Sequence, residues 1–233
     1  MAGQARALFT GTERHLSTIV TLRTVVPTLL GVTVLAGCAA MSVHVTKFPL
    51  GLQQGSYVAD KQENDCYSAA GVGRTRWNFE CRPVFTYDLK SAKETGNTTT
   101  ATIVLRKADV NLSLIVTVLQ KQPELQSHER GHLQICERIY DNAETAAKAS
   151  CEAAIGKTYS ADGANQSVAV QKALQIAAQE ICLQYKRRTH RVADLVSLKY
   201  DELTGRGRND VSPESAVVKA FAEISAQHPG KQL

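Results

Sequence analysis

From Pro123 to Ile155 the sequence reads PELQSHERGHLQICERIYDNAETAAKASCEAAI, which predicts one long helix. Pro123 is tolerated in a first helical turn, Glu124 complements the positive end of the helix dipole, and Gly156 ends the Ala- and Glu-rich run. An apolar stripe recurs along it at intervals of three and four residues. Its members are Leu125, His128, His132, Ile135, Ile139, Ala143 and Ala146. Two histidines therefore lie on the face expected to contact the core.

The segment His128-Glu129-Arg130-Gly131-His132 matches the H-E-x-x-H pattern. Residues four apart share a helix face, so His128 and His132 can reach one tetrahedral zinc ion while Glu129 lies beside them. Zinc lowers the pKa of a bound water to about 7, and Glu129 would act as the general base. The pattern predicts zinc-dependent peptide hydrolysis; the alternative is a helix with two exposed histidines.

Residues 1–37 predict a lipoprotein signal peptide. Arginines precede an apolar run, Val25 to Ala36, that is too short to span a bilayer. The run leads into Leu35-Ala36-Gly37-Cys38, which resembles the lipobox of bacterial lipoproteins, with Cys38 as the lipid-bearing residue; an ordinary secretory signal is the weaker alternative. Because Ala39 follows, we expect a lipid-anchored protein of the cell envelope, at the outer membrane and facing the periplasm.

The remaining residues, 38–233, are enough for one domain with a core, preceded by a short tether. The formal net charge of +5 is too mild to indicate nucleic-acid binding. The one concentrated basic run, Lys186-Arg187-Arg188 followed by His190 and Arg191, has no interleaved aromatic residues for base stacking. We therefore expect no nucleic-acid partner and interpret this run as a solvated helix face or a phospholipid-facing patch.

The front half of the chain reads as strands and the back half as helices, an α+β pattern. The predicted strands, which suggest a small antiparallel sheet, are Ser42 to Phe48, one within Thr75 to Tyr87, Thr98 to Leu105 and Val110 to Leu119. A second helix is predicted from about Ser167 to about Leu203, after a loop from Lys157 to Gln166. The sheet would pack against a long antiparallel hairpin of two helices, with a peripheral tail from Ser212.

Five cysteines follow Cys38 and should pair in an oxidising compartment where geometry permits. Cys66 and Cys81 flank a turn-rich stretch, so we expect a bridge between them. Cys136 and Cys151 would be roughly 22 Å apart on one straight helix and could not bond. One of these two would then pair with Cys182, leaving one thiol. Cys136 is also a poor zinc ligand, because it would lie roughly 12 Å from His128 along the axis.

Several features together resemble a bacterial family of predicted secreted zinc-dependent proteases, a domain of unknown function. They are Trp77 on a strand, His128–His132 leading into Leu133-Gln134-Ile135, the cysteine-bearing return at Cys151-Glu152, and Tyr200-Asp201 followed by Thr204. The resemblance covers most of residues 38–233. It implies a zinc peptidase fold with a second motif, Tyr-Asp-x-x-Thr-x-His-Gly, whose histidine looks like the third metal ligand.

At that histidine position this chain has Arg206, followed by Gly207. A permanently charged guanidinium cannot coordinate zinc and would repel it. Two replacements are candidates. His190 would pass near the level of the H-E-x-x-H motif if the two helices are antiparallel, and Asp201 belongs to the second motif, as a ligand or as a carboxylate that orients one.

Two functional hypotheses follow. The first is a lipid-anchored envelope zinc metallopeptidase acting on peptide or protein substrates, with Glu129 as base. The second is a non-catalytic envelope lipoprotein, an adaptor or assembly factor on a degenerate peptidase fold. Arg206 separates them, because catalytic zinc normally has three protein ligands plus water.

Overall fold

A computed structural model describes residues 6–7, 42–56, 73–120 and 126–227 of this chain. The strands are β1 (Arg6–Ala7), β2 (Ser42–Lys47), β3 (Gly51–Ser56), β4 (Gly73–Thr95), β5 (Thr98–Gln120) and β6 (Thr158–Gly163). The helices are α1 (Gln126–Asp141), α2 (Ala143–Glu152), α3 (Gln166–Arg188), α4 (His190–Thr204) and α5 (Pro213–Gln227). The predicted α+β class is confirmed. In the described part of the chain, no helix has the length and apolarity needed to cross a membrane.

The sheet is built on β4 and β5, two antiparallel strands of 23 residues each. They are joined at Gly96, whose φ of +59° is a conformation that favours glycine. β6 pairs antiparallel with the first part of β5, whereas β2 and β3 pair with its later part in parallel; β1 pairs antiparallel with β4. The sheet is therefore mixed, and the predicted antiparallel sheet is wrong for β2 and β3.

A bulge explains why β5 reads as two strands in the sequence. Tyr87 pairs with Leu105 and Thr86 with Lys107, so Arg106 is the extra residue. Before it the buried side chains include Ile103 and Leu105, and after it they fall on even positions from Ala108 to Val118. The bulge keeps both series on the same face, and the two predicted runs form one continuous strand.

The inner face of β4 contacts three different helices. Its side chains alternate, so residues two apart point to the same side. Thr75 donates a hydrogen bond to α1, Trp77 donates one to α4, and the Phe79 ring lies against Tyr140 of α1. Cys81 forms a disulfide with α3. This strand therefore holds α1, α3 and α4 to the sheet through side-chain contacts.

Each predicted long helix is two helices. The first breaks at Asn142, between α1 and α2, and the second at Thr189, between α3 and α4. At Thr189 the backbone leaves the helical conformation, with φ of −122° and ψ of −75°, and the hydroxyl donates to the Tyr185 carbonyl oxygen at 2.9 Å. The two continuous helices of the predicted hairpin are therefore wrong. α1 packs on α4 and α5, and α2 packs on α3.

Two segments expected outside the core belong to it. The predicted loop from Lys157 to Gln166 contains β6, which extends the sheet. The tail predicted to be peripheral contains α5, which packs on α4 and α1, and the Arg138 guanidinium lies 4.5 Å from the centre of the Phe221 ring. The side chains of α5 that are buried are Ala216, Val217, Ala220, Phe221 and Ile224. Spacings of three and four place them on one helix face.

The cysteine pairing also differs from the prediction. Cys81 pairs with Cys182, with Cα atoms 5.5 Å apart, so the predicted bridge from Cys66 to Cys81 is wrong. Cys136 and Cys151 are both free and buried, so neither pairs with Cys182. Contact between β4 and α3, across a sequence separation of 101 residues, overrides the closeness of Cys66 in sequence. Cys66 and the lipidation candidate Cys38 lie outside the described residues.

Candidate metal centre

Three buried or half-buried side chains from two helices converge on one point. His128 and His132 lie on consecutive turns of α1, and Asp201 lies in the last turn of α4. One ligand atom from each lies within 4.8 Å of the others. His128 and His132 are 8% and 6% exposed, which is low for polar side chains. The sequence prediction that both histidines face the core is therefore confirmed.

The distances match a set of metal ligands. The Nε2 atoms of His128 and His132 each lie 3.1 Å from the same oxygen, Oδ1 of Asp201. Two atoms bonded at about 2 Å to one tetrahedral ion are roughly 3.3 Å apart. Each histidine therefore has the spacing from Asp201 that two ligands of one divalent ion would have.

Gly131, between the two histidines, allows α1 and α4 to approach closely. A Cβ atom there would overlap the ring and hydroxyl of Tyr200, which is fully buried. The Tyr200 hydroxyl donates to the His128 carbonyl oxygen at 3.0 Å, and its ring stacks on the His128 imidazole with centroids 5.0 Å apart. The glycine of the motif thus brings α4, and Asp201 with it, to the histidines.

Hydrogen bonding orients the ring of His128. The Thr204 hydroxyl donates its single hydrogen to the Tyr200 carbonyl oxygen at 2.8 Å, so it accepts from Nδ1 of His128 at 3.4 Å. The Nε2 atom of His128 then faces the Asp201 carboxylate at 3.1 Å. At this distance a positive charge must lie between the two atoms, either a proton on Nε2 that is donated to Asp201 or a metal ion.

His132 is held by packing. Its ring lies 6.3 Å from the Trp77 ring in a stacked arrangement and 5.0 Å from the Tyr200 ring. Its Nδ1 atom is buried and finds no hydrogen-bond partner among the described residues. The only donor or acceptor that the Nε2 atom contacts there is Asp201. His132 therefore has no competing interaction that would turn Nε2 away from an ion.

Glu129 is buried next to this group and is oriented by the sheet. It is 4% exposed, and one carboxylate oxygen accepts a hydrogen bond of 2.5 Å from the Thr75 hydroxyl of β4. Glu129 lies in the first turn of α1, where the helix dipole favours negative charge. These contacts hold the carboxylate in place without neutralising it by an ion pair in the described structure.

The electrostatics of the group favour an ionised Asp201. Burial alone would raise the pKa of this carboxyl, but the hydrogen bonds and positive charge offered by His128 and His132 outweigh burial and hold the pKa well below its usual range. Tyr200 keeps its proton, because burial and the nearby Asp201 and Glu129 carboxylates raise the pKa of its hydroxyl. The carboxylate is thus available as a ligand, and Tyr200 remains a hydrogen-bond donor.

The two candidate third ligands have different positions. Asp201 joins the histidines, whereas His190 lies outside the group, with its Nε2 atom 3.8 Å from Asp194 of the same helix and its ring near Phe79. Arg206 is exposed, in the left-handed turn that ends α4, with φ of +58°. The supporting roles of Thr75 and Tyr200 were not predicted. Only the proximity of Tyr200 to Asp201 in the second motif could have indicated the latter.

No family model, curated protein or solved structure matches this chain. The resemblance to predicted secreted zinc-dependent proteases therefore stays a prediction, carried by the two motifs alone.

Proposed function

We propose that this protein is a zinc-dependent hydrolase that cleaves peptide bonds. The single observation that supports the proposal most is the convergence of His128, His132 and Asp201 within 4.8 Å, beside the buried Glu129. Asp201 replaces the third ligand that the sequence lacks at Arg206. The set then has three protein ligands, as catalytic zinc sites do, and leaves a fourth position for water.

The donor chemistry fits zinc. Two imidazole nitrogens and one carboxylate oxygen are ligands that zinc accepts at about 2 Å, whereas calcium and magnesium prefer oxygen ligands alone. The Nε2 atom of His128 and the Asp201 carboxylate face each other at 3.1 Å, a position that suits a metal ion between them. Zinc, when bound, would polarise a substrate carbonyl and acidify a water.

Residues of the chain itself would transfer the proton and hold the site in place. Glu129 would accept the proton of the attacking water and pass it to the leaving amine, since its carboxylate is adjacent to the metal-binding motif. The Thr75 hydroxyl orients that carboxylate from β4. Trp77 and Tyr200 form apolar walls around His132, which fix its ring and reduce the water around it.

A second candidate function is a non-catalytic scaffold. Both imidazoles contact one oxygen of Asp201, an arrangement that a shared proton could also stabilise as a buried ion pair. In that case the three side chains would hold α1 against α4 without metal. The exposed Arg206 beyond α4 would be consistent with a site that no longer binds metal strongly.

We place this activity at the cell envelope. The lipobox-like segment ending in Cys38 would anchor the protein to a membrane, facing the periplasm of a bacterial cell, where peptides or proteins would be the substrates. A disulfide between Cys81 and Cys182 is compatible with an oxidising compartment.

The test is metal content after purification without added metal. We expect about one zinc per wild-type chain, no zinc in His132→Ala, and full zinc in the control His190→Ala. With zinc present, Glu129→Gln should bind the ion but lose cleavage of an unfolded protein substrate. A wild-type chain that stays metal-free with added zinc would support the scaffold, and a Glu129→Gln variant of full activity would remove the proposed base.

A further inference from the structure

One face of α3 is exposed and carries no acidic residue. Helical spacing places its members on one side, and each is exposed to solvent. We refer to it as the basic α3 face; its residues are Lys172, Ile176, Gln179, Leu183, Lys186 and Arg187. Two of these side chains are aliphatic and unusually exposed to solvent for aliphatic residues, Ile176 at 45% and Leu183 at 53%. The face therefore combines cations with apolar side chains that nothing in the described structure covers.

A shallow cavity adjoins this face where α3 ends and α4 begins. Its volume is about 240 Å³. It is lined by Leu183, Lys186, Arg187, His190 and Arg191. Its surface is formed mostly by apolar atoms of these side chains, three of which end in a positively charged group. Such a cavity suits an anion attached to an apolar body.

The cations of the cavity are not neutralised from within the described structure. Lys186, Arg187 and Arg191 form no ion pair there. Two acids of the same helices have other partners. Asp194 contacts His190 and Trp77. Glu180, at the border of the face, pairs with Lys157, which precedes β6. The positive charge is therefore available to a ligand in solution.

We propose that the basic α3 face binds the surface of a membrane containing anionic phospholipid. The phosphate of one lipid would lie at the mouth of the cavity, within reach of Lys186, Arg187 and Arg191, and Ile176 and Leu183 would enter the boundary between headgroups and acyl chains. Basic residues attract anionic leaflets, and aliphatic residues on the same helix face add apolar burial. Nucleic acid fits less well, because aliphatic side chains cannot stack on bases and no aromatic residue lies on the face. The inference does not depend on metal binding at the other site.

The test measures the partitioning of the full chain, carrying Cys38→Ala to remove any lipid anchor, onto sedimented vesicles. The quantity compared is the ratio of binding to vesicles with 30% phosphatidylglycerol over binding to pure phosphatidylcholine. This ratio removes any contribution of the apolar leader that is independent of lipid charge. Lys186→Glu, Arg187→Glu and Arg191→Glu together should lower the ratio by at least about a hundredfold, since the loss of each cation alone costs about fivefold and the new carboxylates add repulsion.

A matched control reverses three exposed lysines elsewhere, Lys90→Glu, Lys93→Glu and Lys107→Glu, with the same change in net charge. It should lower the ratio by no more than about threefold at 0.15 M salt, where the screening length is about 8 Å. Equal losses in both variants would overturn the proposal, because net charge would then explain binding.

The apolar contribution is tested separately. Ile176→Ser with Leu183→Ser should lower the same ratio about tenfold, because these side chains enter the leaflet once the cations bring them to it. Val218→Ser, at a position 59% exposed on α5, should leave it unchanged. The proposal would be contradicted if the Ile176→Ser, Leu183→Ser variant bound vesicles as wild type does. It would also be contradicted if added inorganic phosphate, at constant ionic strength, displaced the protein from the vesicles. Either result would identify a site for a soluble anion instead of a membrane surface.

Discussion

Gly131→Ala is predicted to loosen the contact that assembles the metal centre. The added methyl group would occupy space now filled by the end of the Tyr200 ring and its hydroxyl. Tyr200 is fully buried, so it cannot move into solvent, and its displacement would also break its hydrogen bond to His128. The imidazole of His128 stacks on the same ring, so the ligand would move too.

The expected change in the free energy of unfolding combines two losses and one gain. Overpacking a buried site costs about 1 to 3 kcal/mol, and loss of the Tyr200 hydrogen bond costs about 1 kcal/mol. Replacing glycine by alanine inside a helix gains about 1 kcal/mol. We expect a net loss of about 2 kcal/mol in the free energy of unfolding, or roughly 6 °C in Tm for a domain of this size.

The assay is urea unfolding of the metal-free protein, followed by zinc titration. In a Tyr200→Leu background the ring is absent and the methyl group has room, so Gly131→Ala should be neutral or stabilise by up to about 1 kcal/mol. The reasoning would be refuted if Gly131→Ala were as stable as wild type with Tyr200 present, or if the loss were the same in both backgrounds.

Further predictions concern the rest of the fold. Burial raises the pKa of the Cys151 thiol to about 12 and that of Cys136 further, so peptide mapping should find both alkylated at pH 8 only after unfolding. Cys182→Ser should lower the free energy of unfolding by roughly 4 kcal/mol, because the disulfide closes a loop of about a hundred residues; an unchanged urea midpoint would contradict this. The hydrogen bond from Lys157 holds the pKa of Glu180 below its usual 4.5, so this pair stabilises the protein above about pH 4.5 and its contribution is lost as the pH falls through the lowered pKa. Unfolding at a series of pH values should show a shallower acid decline in Glu180→Gln than in wild type.

The α+β class and the two histidines could be predicted because both depend on local periodicity. The length of the β5 strand could not, since a bulge at Arg106 shifts the alternation by one residue and makes one strand look like two. The parallel pairing of β2 and β3 is likewise set by long-range contacts with β5. The break at Thr189 lies between two apolar stripes that look continuous in sequence, and no glycine or proline marks it.

In the candidate metal site, too, the features set by local spacing could be predicted and those set by long-range packing could not. His128, Glu129 and His132 are linked by helical spacing, which sequence displays directly. Asp201 is 69 residues from His132, and its contact depends on the packing of α4 across Gly131. His190 was a comparable candidate only while α3 and α4 were taken as one straight helix. Because the helix breaks, counting residues along the sequence no longer shows which residues of α4 lie opposite His128 and His132 of α1.

The central claim is that Asp201 completes a metal site with the two histidines. The most direct measurement is the zinc dissociation constant, by competition with a chromophoric chelator, for wild type, Asp201→Asn and the control Asp194→Asn. We expect one tight site in wild type, affinity weakened more than about a hundredfold in Asp201→Asn, and a change of less than about threefold in Asp194→Asn. Equal affinity in wild type and Asp201→Asn would contradict the account.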